Sequence, residues 1–326
     1  MGTFPGFLYR QLTFKPKPLP SDVRLHGKTA LVTGANVGLG LEACKELAAH
    51  GLSRVILGVR STSKGDAAKG EIIANNPDID VQVWEVDQES FESIKIFSDR
   101  AAALERLDIV ILNAGVKNME FFKSKTGHES NVQVNHLGTA LLSLLLLGLL
   151  KRTATATGLP ARLTIVTSEN HFWPRLKEIE GPNTLAQMDE KESFGKGMER
   201  YNTSKLLNVL WMRELSARTG DDIIINAVNP GFCKSSLHRS DPSGSSSFAN
   251  LIGWSTAQGG HCLTDAATQH STDGRGAYIS EQTVKSPSSF VLSTQGYNAQ
   301  TKIWNETIQL LSNEVPGVDV LGNLGS

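Results

Sequence analysis

Residues 29–51 read TALVTGANVGLGLEACKELAAHG, and the change of pattern inside this stretch decides the fold. TALVTG is short and apolar without polar alternation, the mark of a strand buried on both faces. LEACKELAAHG carries a helical pattern. Between them lies the glycine-rich turn TGANVGLG, residues 33–40. Gly34 lets the chain turn tightly, Gly38 lets the backbone approach a pyrophosphate, and Gly40 permits close packing of helix on sheet; Asn36 and Leu39 belong to the same turn. The helix start supplies free N–H groups and a positive dipole, so anion binding is the physical use of such a turn. A glycine string alone is weak evidence; the strand before it and the helix after it carry the inference.

Working outward, the unit repeats. RVILGV (54–59), VQVWEV (81–86), DIVILN (108–113), RLTIVT (162–167) and IIINAV (223–228) are further short apolar runs. Helical patterns separate them: SKGDAAKGEIIANN, SFESIKIFSDRAAALE, an apolar segment ending near Lys151, and a segment starting near Tyr201. Strands of this kind alternating with helices predict an α/β fold, a single doubly wound parallel sheet of Rossmann type with helices on both faces. A strand-like AYIS (277–280) and a last helix around TKIWNETIQLL follow. The expected organisation is an N-terminal extension, 1–27, and one domain, 28–326, in which segments of about 169–200 and 238–258 cover a substrate. The Ser/Gly-rich SDPSGSSSFAN (240–250) reads as a surface loop within that domain.

Composition excludes several classes. With 326 residues, 40% of them hydrophobic, a formal net charge of -1 and no long run of like charge, the chain has neither a nucleic-acid footprint nor the signature of disorder. Cys44, Cys233 and Cys262 are widely spaced and lack Cys/His clustering, so no metal site and no disulfide framework is expected and a reducing, cytoplasmic setting is the default. They read as small apolar fillers. The N-terminal MGTFPGFLYRQLTF lacks the organisation of a secretory signal and is expected to dock on the protein or brush a membrane surface. LGTALLSLLLLGLL (137–150) is shorter than the roughly 20 residues of a bilayer span. It reads as a buried helix packed on both sides, with no transmembrane span; a peripheral membrane contact is the lesser reading.

Cofactor choice is legible at the end of the second apolar run. An acidic residue there would accept from a ribose 2′-hydroxyl and favour NAD(H). Here Val59 takes that position and Arg60 follows, a cation suited to a 2′-phosphate, so NADP(H) is expected over NAD(H). Asp87 closes the third strand, and Asn113, Ala114 and Gly115 close the fourth, at the carboxyl ends where ligands lie in such sheets.

YNTSK, 201–205, places Tyr201 and Lys205 four apart on one helix face. A tyrosine of ordinary pKa, about 10, is a poor base near neutrality. An adjacent ammonium favours the phenolate and would lower that value, making the phenol a general acid/base for a carbonyl oxygen. Alone, such a pair reads better as a surface feature of an amphipathic helix, since the spacing is common by chance.

Together with TGxxxGxG, the NAG of the fourth strand and the hydroxyl residues ending the fifth, the pair makes the chain resemble the short-chain dehydrogenase/reductase family. The resemblance spans about residues 25–310 and in GANVGLG, VNHLG, ERYNTSKLLN and NPGF is similar to the retinol-dehydrogenase-like branch, fungal members included. It implies that Tyr201 is the proton donor and acceptor, that Ser168 hydrogen-bonds the substrate oxygen, that Lys205 holds the nicotinamide ribose and tunes the phenol, and that Asn135 anchors a water in a proton relay. Pro230, Gly231 and Ser235 match the segment that contacts the nicotinamide carboxamide, Ser235 standing where threonine is commoner. The spacing from Ser168 to Tyr201 exceeds that of compact members, which bears on the shape of the substrate mouth. His171, Phe172 and Trp173 suggest an aromatic wall or a second relay, against the plainer reading that they pack the insertion down; His136 reads as structural. The expected function is NADP(H)-dependent interconversion of a carbonyl and an alcohol on a lipophilic small molecule, in secondary metabolism. The rivals are a non-redox step on the same fold and a non-catalytic NADP(H)-binding protein. Pairing of two copies through the fourth and fifth helices, a homodimer, is also implied.

Overall fold

The computed structural model describes residues 2–235, 237 and 250–316. The Val- and Ile-rich runs become strands because their branched side chains pack well on a pleated surface covered on both sides. β1 (Thr29–Thr33), β2 (Arg54–Val59), β3 (Asp80–Glu85), β4 (Ile109–Leu112), β5 (Ala161–Val166), β6 (Ile223–Asn229), β7 (Tyr278–Ser280) and β8 (Thr283–Lys285) form one sheet in the order β3-β2-β1-β4-β5-β6-β7-β8. All neighbours are parallel except β7 and β8. The antiparallel β8 is an addition to the expected strands. Strand order reverses at the β1/β4 junction, where Ala30, Leu31 and Val32 pair with Ile109, Val110 and Ile111. That reversal opens a crevice beyond the carboxyl ends.

Successive residues of one strand serve opposite cores. Leu31, Ile56 and Val110 join one cluster, with helices Phe91–Ala102, Gly138–Thr157, Glu199–Arg218 and Thr294–Glu314; Ala30, Val32, Val55, Leu57, Ile109 and Ile111 join the other, with Gly38–Ala49, Thr62–Asn75 and Thr256–Thr268. The apolar segment continues past Lys151 to Thr157, where Gly158 caps it in a left-handed conformation. Residues Ser130–Thr157 are long and apolar enough to cross a membrane by length and composition, but 89% of the window that passes is buried inside the fold. Helix Thr294–Glu314 lies on Glu199–Arg218, where Trp304 stacks on Trp211 at 4.5 Å. That contact covers part of one of the two helices through which a homodimer was expected.

The insertion of 169–200 is less irregular than its sequence suggests. It contains 3-10 turns at Glu169–Phe172, Lys177–Glu180 and Lys191–Ser193 and a helical turn Thr184–Met188. Arg200, 1% exposed, pins it through Glu178 at 3.0 Å and the Ser193 carbonyl at 2.8 Å. The N-terminal extension forms helix Phe4–Thr13, capped by Thr3, and docks on the protein. Of the expected covering segment 238–258, residues 238–249 lie outside the described residues.

Candidate active site

A cavity of about 790 Å³ opens at the carboxyl ends of the strands. It is lined by Gly34, Asn36, Gly38, Leu39, Arg60, Asp87, Asn113, Ala114, Gly115, Ser168, Tyr201, Lys205, Pro230, Gly231 and Ser235. Of the expected site residues only Gly40 and Asn135 stand behind its wall. A Cβ on Gly40 would fall 2.6 Å from the Asn113 amide and 2.6 Å from the Gly34 carbonyl, so this glycine serves packing. Gly38 differs: at φ +64 its missing Cβ would meet nothing within 4 Å. The turn therefore presents bare backbone to open space at the start of helix Gly38–Ala49, a cradle that fits the pyrophosphate of a dinucleotide.

Asn113 acts at one remove. Its amide donates to the Thr33 carbonyl at 2.9 Å and the Gly34 carbonyl at 3.3 Å, and the Thr33 hydroxyl accepts from the Asn113 and Ala114 N–H groups at 3.0 Å each. The ends of β1 and β4 are thereby stapled together beneath the cradle. Arg60 is exposed on the cavity rim, and Lys64, which was not singled out in the sequence, lines the same end. Its signal was the spacing of four from Arg60 into the first turn of helix Thr62–Asn75. Asp87 holds the chain after β3 by accepting from the Glu89 N–H at 3.0 Å.

At the opposite end, helix Glu199–Arg218 carries Tyr201 and Lys205, 6% and 5% exposed. The Lys205 ammonium lies 5.7 Å from the Tyr201 ring centre and donates to the Val166 carbonyl at 3.2 Å. Thr167 anchors the helix by donating to the Lys205 carbonyl at 2.8 Å. Burial lowers the Lys205 pKa from 10.5 to about 8. The same burial pushes the Tyr201 phenol well above its ordinary range, while a hydrogen bond with Ser168 pulls the other way. The expectation of a phenol acidified by its lysine is corrected here. Removal from water penalises the charged forms of both groups and is the largest influence on each.

Asn135 sits in a π-helical turn, Gln133–Leu137, that leads into Gly138–Thr157. Its amide donates to the Val116 carbonyl and the Ser204 hydroxyl, both at 2.9 Å, and its oxygen accepts from the Val116 N–H at 2.8 Å. The side chain is a clamp between the loop after β4 and the tyrosine helix, with both amide protons committed.

His171 is 1% exposed. Its Nε2 accepts from the Ser288 N–H at 3.1 Å, so its Nδ1 carries the proton and donates to the Ser168 carbonyl at 2.8 Å. Burial lowers its pKa to about 4, and its ring packs on Phe172 and Tyr278. The packing role is the one seen, with the added effect of fixing the backbone of Ser168. His136 bonds Thr307 at 2.9 Å within the core. Burial raises the Cys233 thiol to about 12, in keeping with a filler. Two wall residues, Phe4 and Phe7, come from the N-terminal helix, whose approach to the site has no local signal in the sequence.

Residues 28–167 match the family model described as short chain dehydrogenase. Short chain dehydrogenase sol3 of Alternaria solani is 66% identical over 283 residues, which cover 86% of this chain and 99% of that protein. Short chain dehydrogenase/reductase mfmJ of Annulohypoxylon moriforme is 35% identical over 314 residues, covering 94% and 91%. Among solved structures, the Pseudomonas aeruginosa RhlG/NADP active-site complex superposes with a TM-score of 0.61 at 22% identity, over 80% of this chain and 97% of that one.

Proposed function

The chain belongs to the short-chain dehydrogenase family and is an oxidoreductase, and from that premise we propose that it interconverts a carbonyl and an alcohol on a lipophilic small molecule with NADP(H). The observation that carries this reading is the buried Tyr201 phenol, hydrogen-bonded to Ser168, on the wall of the cavity that Gly38 and Arg60 also line. The fungal relatives sol3 and mfmJ, a short chain dehydrogenase and a short chain dehydrogenase/reductase, support the reaction class, and we place it in secondary metabolism.

The cofactor, when bound, supplies or accepts the hydride. The turn at Gly34 and Gly38 would hold its pyrophosphate, Arg60 its 2′-phosphate, Lys205 the nicotinamide ribose, and Pro230, Gly231 and Ser235 the carboxamide. Ser168 Oγ orients the substrate oxygen, and Tyr201 Oη gives its proton to that oxygen as the carbonyl becomes an alcohol. A phenol held protonated by burial is ready for this direction. Tyr201 and Lys205 are held with little exposure on the wall of the cavity. Asn135 contributes by clamping Val116, the residue after Gly115, and Ser204, the residue before Lys205.

The test is consumption of NADPH with aromatic and aliphatic ketones and aldehydes. Wild type should oxidise NADPH in step with alcohol formed, and Tyr201→Phe should bind NADPH normally while losing at least about a hundredfold in kcat. Product formed without NADPH consumption would instead support the non-redox reading. Equal turnover by Tyr201→Phe would remove the assigned acid.

A further inference from the structure

Helix Phe4–Thr13 stands outside the strand–helix frame, yet it closes one side of the cavity that holds Ser168 and Tyr201. It is fastened at points that matter to that cavity. Arg10 pairs with Glu169, the neighbour of Ser168, and with Glu281 at 3.2 Å. Gln11, 5% exposed, reads the Phe232 backbone with both ends of its amide: Nε2 donates to the carbonyl at 2.8 Å and Oε1 accepts from the N–H at 3.2 Å. The Gln11 carbonyl accepts from the Trp254 indole at 2.9 Å.

The apolar side chains of the helix are used differently from those of a helix that merely covers a sheet. Phe7 packs edge-on against Phe232, with ring centres 6.1 Å apart, and remains half-buried; Phe4 is 58% exposed. Both line the cavity. Rings left open on a concave wall gain from burial only when an apolar body covers them. Aromatic faces and edges favour a flat partner.

We propose that Phe4 and Phe7 determine substrate specificity, forming the wall against which the ring system of an aromatic or polycyclic carbonyl compound packs, with Arg10 and Gln11 holding that wall at a fixed distance from Ser168 and Tyr201. The inference rests on the oxidoreductase site proposed above, and it names a substrate class for it. A small aliphatic carbonyl would leave both rings wet and gain nothing from the helix.

The probe is 6-propionyl-2-dimethylaminonaphthalene, a naphthyl ketone whose emission shifts to the blue when it leaves water. Binding is read from that shift in the presence of NADPH, so turnover is not required. Wild type binds the probe. Phe4→Ala, at an exposed position with little effect on folding, weakens it severalfold; Phe4→Ala with Phe7→Ala weakens it about tenfold or more. Phe7→Leu keeps most of the affinity, and NADPH binds all variants as it binds wild type. Arg10→Ala, which loosens the helix while leaving both rings in the chain, also weakens the probe, and Arg10→Lys recovers part of the loss. Equal affinity in wild type and the alanine variants, or no binding to wild type, overturns the proposal. Tyr201→Phe separates the two readings: it should keep probe affinity and lose reduction, so its failure would strike the catalytic assignment and leave the wall standing.

Discussion

Lys205 is a cation held 5% exposed that donates to a backbone carbonyl, which makes it a cost to the fold. Its charged form is disfavoured by burial, from 10.5 to about 8, on the order of 3 kcal/mol at pH 7. The sign follows from proton binding: between those values the unfolded chain holds the proton and the folded one releases it, so this contribution makes stability rise with pH. Lys205→Met should therefore raise the thermal midpoint at pH 7 by several degrees, and the gain should shrink toward pH 10 while oxidoreductase activity is lost throughout. A lower midpoint in differential scanning calorimetry would mean the ammonium is a net stabiliser. Arg60 is the contrasting residue, an exposed cation with no ion pair among the described residues. Arg60→Ala should leave the fold untouched and weaken NADPH binding at least about tenfold while NADH binding changes little. Equal losses in calorimetric titrations of the two would refute its selectivity role.

At the scale of elements, the glycine turn separates what sequence makes legible from what it hides. Gly38→Ala places a methyl group in open space at φ +64, so the protein should fold with a loss of roughly 1–2 kcal/mol and bind dinucleotide far more weakly. Gly40→Ala drives a methyl group to 2.6 Å from the Gly34 carbonyl and should chiefly destabilise the fold. Urea melts and NADPH titrations of the two variants check this contrast; matching defects in both would collapse it. These roles could be read beforehand because a strand, a turn and a helix start within a dozen residues are local patterns. The parallel strands were legible for the same reason, since runs such as RVILGV declare burial on both faces. β8 was not, because its hairpin turns through Glu281 and Gln282 at φ 51 and 54, residue types that carry no turn signal. The place of helix Phe4–Thr13 was hidden too: Arg10 meets Glu169 across a separation of 159 residues, and nothing near either one announces the other. The phenol escaped for a different reason. Spacing revealed its neighbour Lys205, but the depth of burial that sets the direction of its pKa is a tertiary quantity.

Across the whole molecule, the insertion of 169–200 is tied to the body by charge as well as by packing. His128, 8% exposed, links three separate parts of the chain: its Nδ1 meets Asp189 of the insertion at 2.7 Å and its Nε2 meets Glu314, at the end of the last helix, at 3.0 Å. Asp189 also accepts from the Glu129 N–H at 2.8 Å, and Phe121 packs edge-on against Phe194 beside it. Burial opposes the imidazolium, but the two carboxylates together raise the His128 pKa above its ordinary 6.5. A group raised in this way stabilises the fold fully below the unfolded value and loses that contribution as pH climbs through the folded one. The insertion should accordingly loosen as pH rises above 6.5, without unfolding of the sheet. Hydrogen exchange of residues 184–194, compared between pH 6 and pH 9 after correction for intrinsic rates, should show faster opening at the higher pH. His128→Gln should open readily at both, since a neutral amide cannot hold two carboxylates by charge. Protection in wild type that does not change with pH would show that packing alone keeps the insertion in place.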